Sequence, residues 1–258
     1  MSRRLTPVLL TVVGLLAACS GALSDPKEII LRGFEATSEL ASFHAAATVD
    51  GEFSMPGSEG TISLAGTTFE GDINVTDEQA HLSFGVPAFL GLTGELIMLT
   101  DGGFVRLSLL GEKWYRMDET SAEPLPSPSA DPMDQLRELL DKDGVEATKL
   151  DDVACGDRQC YQVQLTIPAE VLRDLEPSPD PLASPGEDPA DMIGEALVLT
   201  LLFDRDNLYL TQLSTSVDDP DSGTFSLTLT LSAFGEPVTI SPPPADQVEE
   251  SGFEFPME

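Results

Sequence analysis

Residues 196–204 (ALVLTLLFD) and 223–232 (GTFSLTLTLS) decide the fold. In both stretches large apolar side chains recur at every second position, and this period is typical of a β-strand with one buried face. The sequences DRDN at 204–207 and DDPDSG at 218–223 are typical turns, and residues 208–217 form the strand between them. Such short connections favour antiparallel pairing of neighbouring strands.

The same alternation extends into the N-terminal half of the chain. From Ser42 to Phe53, apolar or small residues alternate with polar ones, which predicts a long strand. In all, the pattern predicts about ten to twelve strands. The others fall at 61–70, 72–84, about 94–100, 103–110 and 112–118, in a hairpin at about 145–154 and 159–167, and in a short last strand at 237–240.

Two amphipathic helices are predicted at 25–41 and 132–143, the first capped by Ser24 or Asp25. One or two helical turns are expected at 168–175, and a short helix at 190–195. A long sheet with one apolar face has to be covered, and the two amphipathic helices are the candidates. We therefore expect the α+β class: a strongly curved antiparallel sheet with a few helices packed in its concave face.

Composition excludes several classes of function. The 258 residues include 13 Lys and Arg against 45 Asp and Glu, a net charge of −32, so nucleic acid is not an expected partner. A composition this acidic is typical of a protein adapted for solubility or for a saline habitat. The sequence lacks the motifs G-x-S-x-G, H-E-x-x-H, the P-loop and G-x-G-x-x-G. His44 and His81 are single residues on strands. We therefore predict no catalytic residue, no metal site, no cofactor and no enzymatic activity.

The N-terminus has the features of a bacterial lipoprotein signal. Arg3 and Arg4 precede an apolar run at 5–18, which is shorter than the ~20 residues that span a bilayer core. The run ends in Leu-Ala-Ala before Cys19, which matches a lipobox, whereas the competing interpretation is an ordinary signal peptide followed by a chance cysteine. We expect a signal peptide at 1–18 and a tether at 19–24. Acyl chains such as palmitate on Cys19 would anchor the protein to the extracytoplasmic side of the cell membrane.

The two other cysteines, Cys155 and Cys160, flank the turn residues Gly156 and Asp157. In an exported chain the expected state is a structural disulfide across a hairpin. A redox pair or a metal site are the competing interpretations. The spacing differs from C-x-x-C, and no histidine or second cysteine pair completes a zinc site.

The order of these features resembles the LppX/LprG/LprA/LprF group (LppX/LprAFG) of mycobacterial lipoproteins, whose fold is related to the LolA and LolB carriers. The segments that carry the resemblance are Ser42-Phe43-His44, Lys113-Trp114-Tyr115, residues 144–148, Phe203-Asp204-Arg205, residues 231–235 and residues 238–243. The resemblance implies a single domain, which we place at 25–245. Pro- and Ser-rich loops are expected at about 123–132 and 176–189, and a loose tail at 246–258.

The resemblance also implies a large apolar cavity that binds an acylated lipid or glycolipid, which the protein carries or presents in the cell envelope. Another envelope protein or an exporter is a further possible partner. The residues that we expect to line the cavity are Phe34, Ala45, Ala47, Val49, Met98, Leu136, Leu199, Leu201, Phe225, Leu227 and Leu229.

Three alternatives are open at this point. The small residues Ala45, Ala47 and Gly51 need either a closely packed helix or a ligand opposite them. The segment Val86–Leu92 forms either a flexible rim or buried core. The whole protein is either a lipid binder or a non-carrier sensor or scaffold, with a closed core and a protein partner.

Overall fold

The computed structural model describes residues 23–54, 61–117, 132–174, 195–219 and 223–249. The signal peptide, Cys19, most of both predicted loops and residues 190–194 lie outside this range. Three helices are described: α1 (Pro26–Ser38), α2 (Pro132–Asp141) and α3 (Ala169–Asp174). The strands are β1 (Ser42–Ser54), β2 (Thr61–Ser63), β3 (Thr67–Asn74), β4 (Gln79–Val86), β5 (Leu92–Leu99), β6 (Gly102–Leu107), β7 (Trp114–Met117), β8 (Glu146–Lys149), β9 (Val153–Cys155), β10 (Arg158–Pro168), β11 (Ala196–Asp204), β12 (Leu210–Asp219), β13 (Gly223–Ser232) and β14 (Val248–Glu249).

All fourteen described strands belong to one sheet, which is more than the ten to twelve expected. Its order is β14-β7-β6-β5-β4-β3-β1-β13-β12-β11-β10-β8, with β2 added beside β1 and β9 beside β10. Every pairing is antiparallel except the parallel pair of β14 and β7. The end strands β14 and β8 do not pair with each other, so the sheet is open. The predicted α+β class with an antiparallel sheet is confirmed.

The two faces of the sheet differ in polarity. Ala45 of β1 lies opposite Leu231 of β13, whereas His44 lies opposite Ser232. Directly opposite residues share a face, so the register divides the strands into two sets. We call the face of Ala45 the inner face and the face of His44 the outer face. The inner face is mainly apolar, with Lys149 of β8 as a charged exception, and the outer face carries most of the hydroxyl, carboxylate and basic side chains.

The helices pack on one part of the inner face. Asp25 caps α1 by accepting hydrogen bonds from the backbone N–H groups of Lys27 and Glu28. Ile29 of α1, Leu140 of α2 and Val171 of α3 then form a buried cluster with the inner-face side chains of β10 and β11. Among the described members of this cluster, none comes from β3 to β7. The predicted helices therefore do cover the sheet, but only over β1, β8 and β10 to β13.

A second apolar cluster lies on the outer face at the opposite edge. Ile97, Phe104 and Trp114 are buried there, and Ile240 and Val248 of the C-terminal segment pack against them. The short strand expected at 237–240 is not present, because residues 236–244 pair with no strand. Instead, β14 pairs with the edge strand β7, inside the segment that we expected to be a loose tail from 246 onward.

The boundary between β3 and β4 differs from the prediction. The expected strands at 61–70 and 72–84 place a break near Gly71, but Gly71 lies within β3 and the turn is at 75–78. The Asn74 side chain accepts a hydrogen bond from the backbone N–H of Asp77 and forms this turn. Gly71 has no room for a Cβ, which would lie 2.2 Å from the carbonyl oxygen of His81. The glycine thus marks close strand packing and not a turn.

Gly33 sets the distance between α1 and the sheet. A Cβ at this position would lie 2.2 Å from Cδ1 of Phe203 on β11, so the ring of Phe203 occupies the space where a side chain would be. Phe34 contacts the same ring edge-on, with 5.9 Å between the ring centroids. The bare backbone of α1 at Gly33 therefore allows the helix to approach the sheet closely.

We expect Gly33→Ala to destabilise the protein by about 1–3 kcal/mol, because the added methyl group overpacks the contact with Phe203. Helix propensity alone predicts the opposite sign, a gain of about 1 kcal/mol for Ala over Gly. Urea unfolding followed by circular dichroism measures the difference. Glu35→Ala, at an exposed position of α1, is the matched control. A stabilised Gly33→Ala variant would contradict the packing described here.

Candidate functional site: an uncovered apolar groove

The inner face of β3 to β7 is apolar and not covered by the helices. We call this surface the apolar groove. It is formed by Phe69, Ile73, Leu82, Phe84, Leu96, Met98, Val105, Leu107 and Met117. Phe69 and Met98 are 45% and 42% exposed, whereas Leu201 and Phe203 on the helix-covered part are fully buried. Large apolar side chains on a sheet face are ordinarily covered, so this exposure marks a candidate binding surface.

Glycines shape the floor of the groove. Gly94 lies opposite Phe84, and a Cβ on Gly94 would lie 2.4 Å from Cζ of that ring. Gly103 lies opposite Met117, and its Cβ would lie 2.2 Å from the Met117 Cε. Because both positions lack a side chain, Phe84 and Met117 extend across the neighbouring strand. The result is a continuous apolar floor between β4 and β7.

Charged side chains are kept off the groove. Among the described inner-face positions of β3 to β7 there is no Asp, Glu, Lys, Arg or His, and the polar side chains are those of Thr67 and Tyr115. Arg106 and Arg116 of β6 and β7 belong to the outer face. There Arg106 pairs with Glu95, and its guanidinium carbon lies 4.9 Å from the centre of the Trp114 ring. This surface therefore suits a hydrocarbon chain and offers no counter-ion for a charged group.

The predicted cavity residues all lie on the inner face or on the helices that pack against it, and they fall into two sets. Phe34, Ala45, Leu136, Leu199, Leu201 and Leu229 pack in the helix-covered cluster. Ala47, Val49, Met98, Phe225 and Leu227 lie on the same face outside that cluster. For Ala45 the small side chain is thus matched by the closely packed helix layer. A ligand-binding role stays a prediction for every residue of both sets.

The segment Val86–Leu92 is not buried core. It contains the turn between β4 and β5, and Phe89 and Leu90 at the turn are exposed. Leu109 and Leu110, which follow β6 in a turn of 3-10 helix, are exposed as well. We expected these two leucines within a strand at 103–110. Their alternation with neighbouring residues is too short to separate a strand end from an exposed turn.

The histidines belong to polar clusters of the outer face. His44 Nδ1 lies 2.8 Å from Oδ1 of Asp72 on the neighbouring strand, and His81 Nε2 lies 3.5 Å from Oε2 of Glu95. Within the described ranges, no group of three or more His, Cys, Asp or Glu side chains is arranged to hold a metal ion. The helices described in these ranges are too short or too polar to cross a membrane.

The predicted disulfide between Cys155 and Cys160 is confirmed, with 5.9 Å between the two Cα atoms. It lies beside a cleft of about 630 Å³, which includes Arg158, Asp204, Gln212 and Ser232 in its lining. None of the predicted cavity residues contributes to this cleft. Its lining side chains are mainly outer-face groups and polar, so it is distinct from the apolar groove.

Asp204 is the buried carboxylate of this cleft. Burial by itself raises the pKa of Asp204, but hydrogen bonds to the ionised form outweigh it and lower the pKa below the ordinary value. The donors are Nη1 of Arg158, at 2.7 Å from Oδ2, and the backbone N–H groups of Asp206 and Asn207. The same contact raises the pKa of Arg158. It connects the disulfide hairpin to the end of β11.

The sheet and the helices on its inner face define the class of the protein. It is a half-barrel of α+β type that is open at both sheet edges. Its sequence matches no protein-family description and no curated protein. Its fold is similar to that of the lipoprotein LppX from Mycobacterium tuberculosis, with a TM-score of 0.51 and 19% identity over 84% of this chain and 100% of that chain. It is also similar to LprF from Mycobacterium bovis, with a TM-score of 0.54 and 19% identity over 84% of this chain and 96% of that chain. The resemblance noted in the sequence is therefore confirmed at the level of the fold.

Thr67 is one of the two polar side chains of the groove strands and lies at the end of the groove. It lies on the inner face opposite Val49 and is 4% exposed, and its hydroxyl has no hydrogen-bond partner within the described residues. A buried hydroxyl without a partner costs about 1–3 kcal/mol. Three strands further along the same row, Thr215 on β12 donates its hydroxyl to the carbonyl of Val198 at 2.8 Å. The two threonines thus share a face and differ in hydrogen bonding.

We expect the unfolding free energy to depend on pH through Asp204. Because the pKa of Asp204 is lowered in the folded protein, its contribution is present above the unfolded pKa, near 3.8, and is lost as the pH falls through the folded pKa. The loss of stability between pH 6 and pH 3 should be smaller in Asp204→Asn than in the wild type. Urea unfolding at several pH values measures this slope, with the exposed residue Asp157 as the site of the control variant Asp157→Asn. Equal slopes for wild type and Asp204→Asn would contradict the assignment.

We expect Thr67→Val and Thr215→Val to change stability in opposite directions. Thr67→Val removes an unpaired buried hydroxyl and should raise the unfolding free energy by about 1 kcal/mol, whereas Thr215→Val removes a made hydrogen bond and should lower it by about 1 kcal/mol. The measurement is thermal or urea unfolding of the ligand-free protein. A loss of stability in both variants would show that the Thr67 hydroxyl has a partner.

Proposed function

We propose that this protein is a membrane-anchored, extracytoplasmic lipoprotein that binds an acylated lipid or glycolipid and carries or presents it in the cell envelope. The observation that carries the proposal is the apolar groove, which is exposed and free of charged side chains on its described strands. The acyl chains lie along the groove, and the polar part of the lipid lies at one end of the strands. Cys19 provides the anchor.

The energetics of the groove favour hydrocarbon. Burial of apolar surface stabilises by about 25 cal/mol per Å², or about 0.8 kcal/mol for each buried methylene group. A strand of eight residues is about 26 Å long at 3.3 Å per residue, which is long enough for an extended acyl chain. A hydrocarbon ligand needs no hydrogen-bond partners, so the lack of polar groups on the groove costs it nothing.

A second candidate function is a non-carrier sensor or scaffold that binds another envelope protein. The observation in its favour is that the helices fill the C-terminal half of the inner face with a tightly packed core. In this case no lipid occupies the groove. Mass spectrometry of lipids extracted from protein purified from a lipid-containing host separates the two functions. A stoichiometric acylated species supports the lipid binder, and a folded protein that repeatedly yields no lipid supports the scaffold.

We expect Leu82→Arg to reduce the uptake of a fluorescent acyl lipid by at least about tenfold. A guanidinium group among acyl chains costs about 2.5 kcal/mol or more, and tenfold in uptake requires only about 1.4 kcal/mol of this cost. The matched control is Ser83→Arg, one residue further along β4 but on the outer face, where it should leave uptake unchanged. Equal loss in both variants, or no loss in either, would be incompatible with lipid binding on the inner face.

A further inference from the structure

Four large apolar side chains project from one end of the sheet, and we call them the apolar tip. Phe89 and Leu90 lie in the turn between β4 and β5, and Leu109 and Leu110 lie in the turn after β6; Leu90 is 92% exposed and Leu109 is 61% exposed. The two turns are neighbours, because the backbone N–H of Thr93 donates to Oγ of Ser108 at 3.0 Å. The tip is therefore a single surface built from two adjacent loops.

The backbone of the tip is unfavourable for the residues that it carries. Leu90 has a φ of 55°, in the left-handed region that favours glycine, and Gly91 follows with a φ of 72°. A non-glycine residue in this region has an energetic cost that contacts elsewhere have to offset. The exposed Leu90 side chain gains little from the rest of the described chain. An apolar contact beyond the described residues would account for a leucine at this position.

Charge is absent from the tip. Residues 86–94 and 107–111 contain no Asp, Glu, Lys, Arg or His, in a chain with 45 acidic residues. Insertion into a lipid surface therefore requires no desolvation of a charged group. The four side chains of the tip protrude and do not line the neighbouring cleft of about 380 Å³. The boundary between head groups and acyl chains accepts protruding apolar side chains without a matching surface.

The tip continues the apolar groove to the end of the strands. Val86 and Leu92 pair at this end and belong to the inner face, as does Leu107 opposite Gly94. The N-terminal residue of the described chain lies elsewhere: the N–H of Leu23 donates to the hydroxyl of Tyr161, near the start of β10 and thus at the opposite strand ends. The tip is therefore a second point of contact, distinct from the expected anchor.

We propose that the apolar tip docks into the surface of a lipid bilayer and that the groove opens there. The docking itself is independent of any ligand. Its use for lipid passage rests on the proposed function, because an acyl chain that leaves the groove at this end enters the bilayer without crossing water.

The test places a tryptophan on the tip. The full chain with Leu90→Trp is reconstituted with phosphatidylcholine vesicles whose acyl chains are brominated or not, and quenching of tryptophan fluorescence by bromine is measured. Brominated lipid is supplied either in the reconstituted vesicles or in a second vesicle population. The control is Val75→Trp, an exposed apolar position in the turn between β3 and β4 at the opposite strand ends. Trp114 is buried and contributes equally to both variants.

We expect at least about twofold stronger quenching for Leu90→Trp than for Val75→Trp, in one of the two arrangements. Adding Phe89→Ser, Leu109→Ser and Leu110→Ser to Leu90→Trp should reduce the quenching to the control level. Equal quenching at positions 90 and 75, or quenching that survives the three serine substitutions, would overturn the proposal. If the chain takes up no lipid but Leu90→Trp is quenched, the result contradicts the proposed function alone. If the chain takes up lipid but Leu90→Trp is not quenched, the result contradicts the docking alone.

Discussion

The apolar inner face of the sheet is longer than the helices that cover it, and the rest of the structure follows from this mismatch. Helix α1 has 13 residues and is therefore about 20 Å long, whereas neighbouring strands are about 4.8 Å apart. A helix of this length crosses about four strand spacings. Gly33 holds it tightly against Phe203, and α2 and α3 pack in the same cluster without extending the cover. The inner face of β3 to β7 is left open, and it is this part that forms the apolar groove.

Charged side chains and the partly exposed apolar surface are on opposite faces of the sheet. The described carboxylates of β3 to β5 lie on the outer face, where His44 and Arg106 contact three of them. A strongly negative outer surface keeps copies of the chain apart and so opposes association through the groove. The inner face, by contrast, carries no charge on the same strands. The two faces of one sheet thus differ in chemistry: one is charged and the other is apolar.

Much of the fold could be predicted because its signals are local. Three such signals were found in the structure: the alternation in 196–232, the Asp25 cap, and the turn between Cys155 and Cys160. Each of them acts within a few residues.

The missed features depend on distant contacts. The pairing of Val248 with Trp114 needs the edge of a strand formed more than a hundred residues earlier. The predicted strands 61–70 and 72–84 divide at Gly71, because a glycine required by strand packing looks the same in sequence as one that ends a strand. The candidate site was predicted only as a face: alternation identifies inner residues such as Ala45 and Ala47, but helix length decides which of them are covered.

The open half of the inner face also distinguishes the two candidate functions. A scaffold with a closed core would need the helix layer to extend over β3 to β7, yet the described helices end before these strands. The apolar inner-face residues are consecutive across five strands, Phe69 and Met98 among them are exposed, and the row is continuous with the apolar tip. A protein partner would leave hydrogen-bonding groups of its own facing a surface that supplies almost none. An acyl chain has no such groups, so hydrocarbon is the occupant that fits this surface at the lowest desolvation cost.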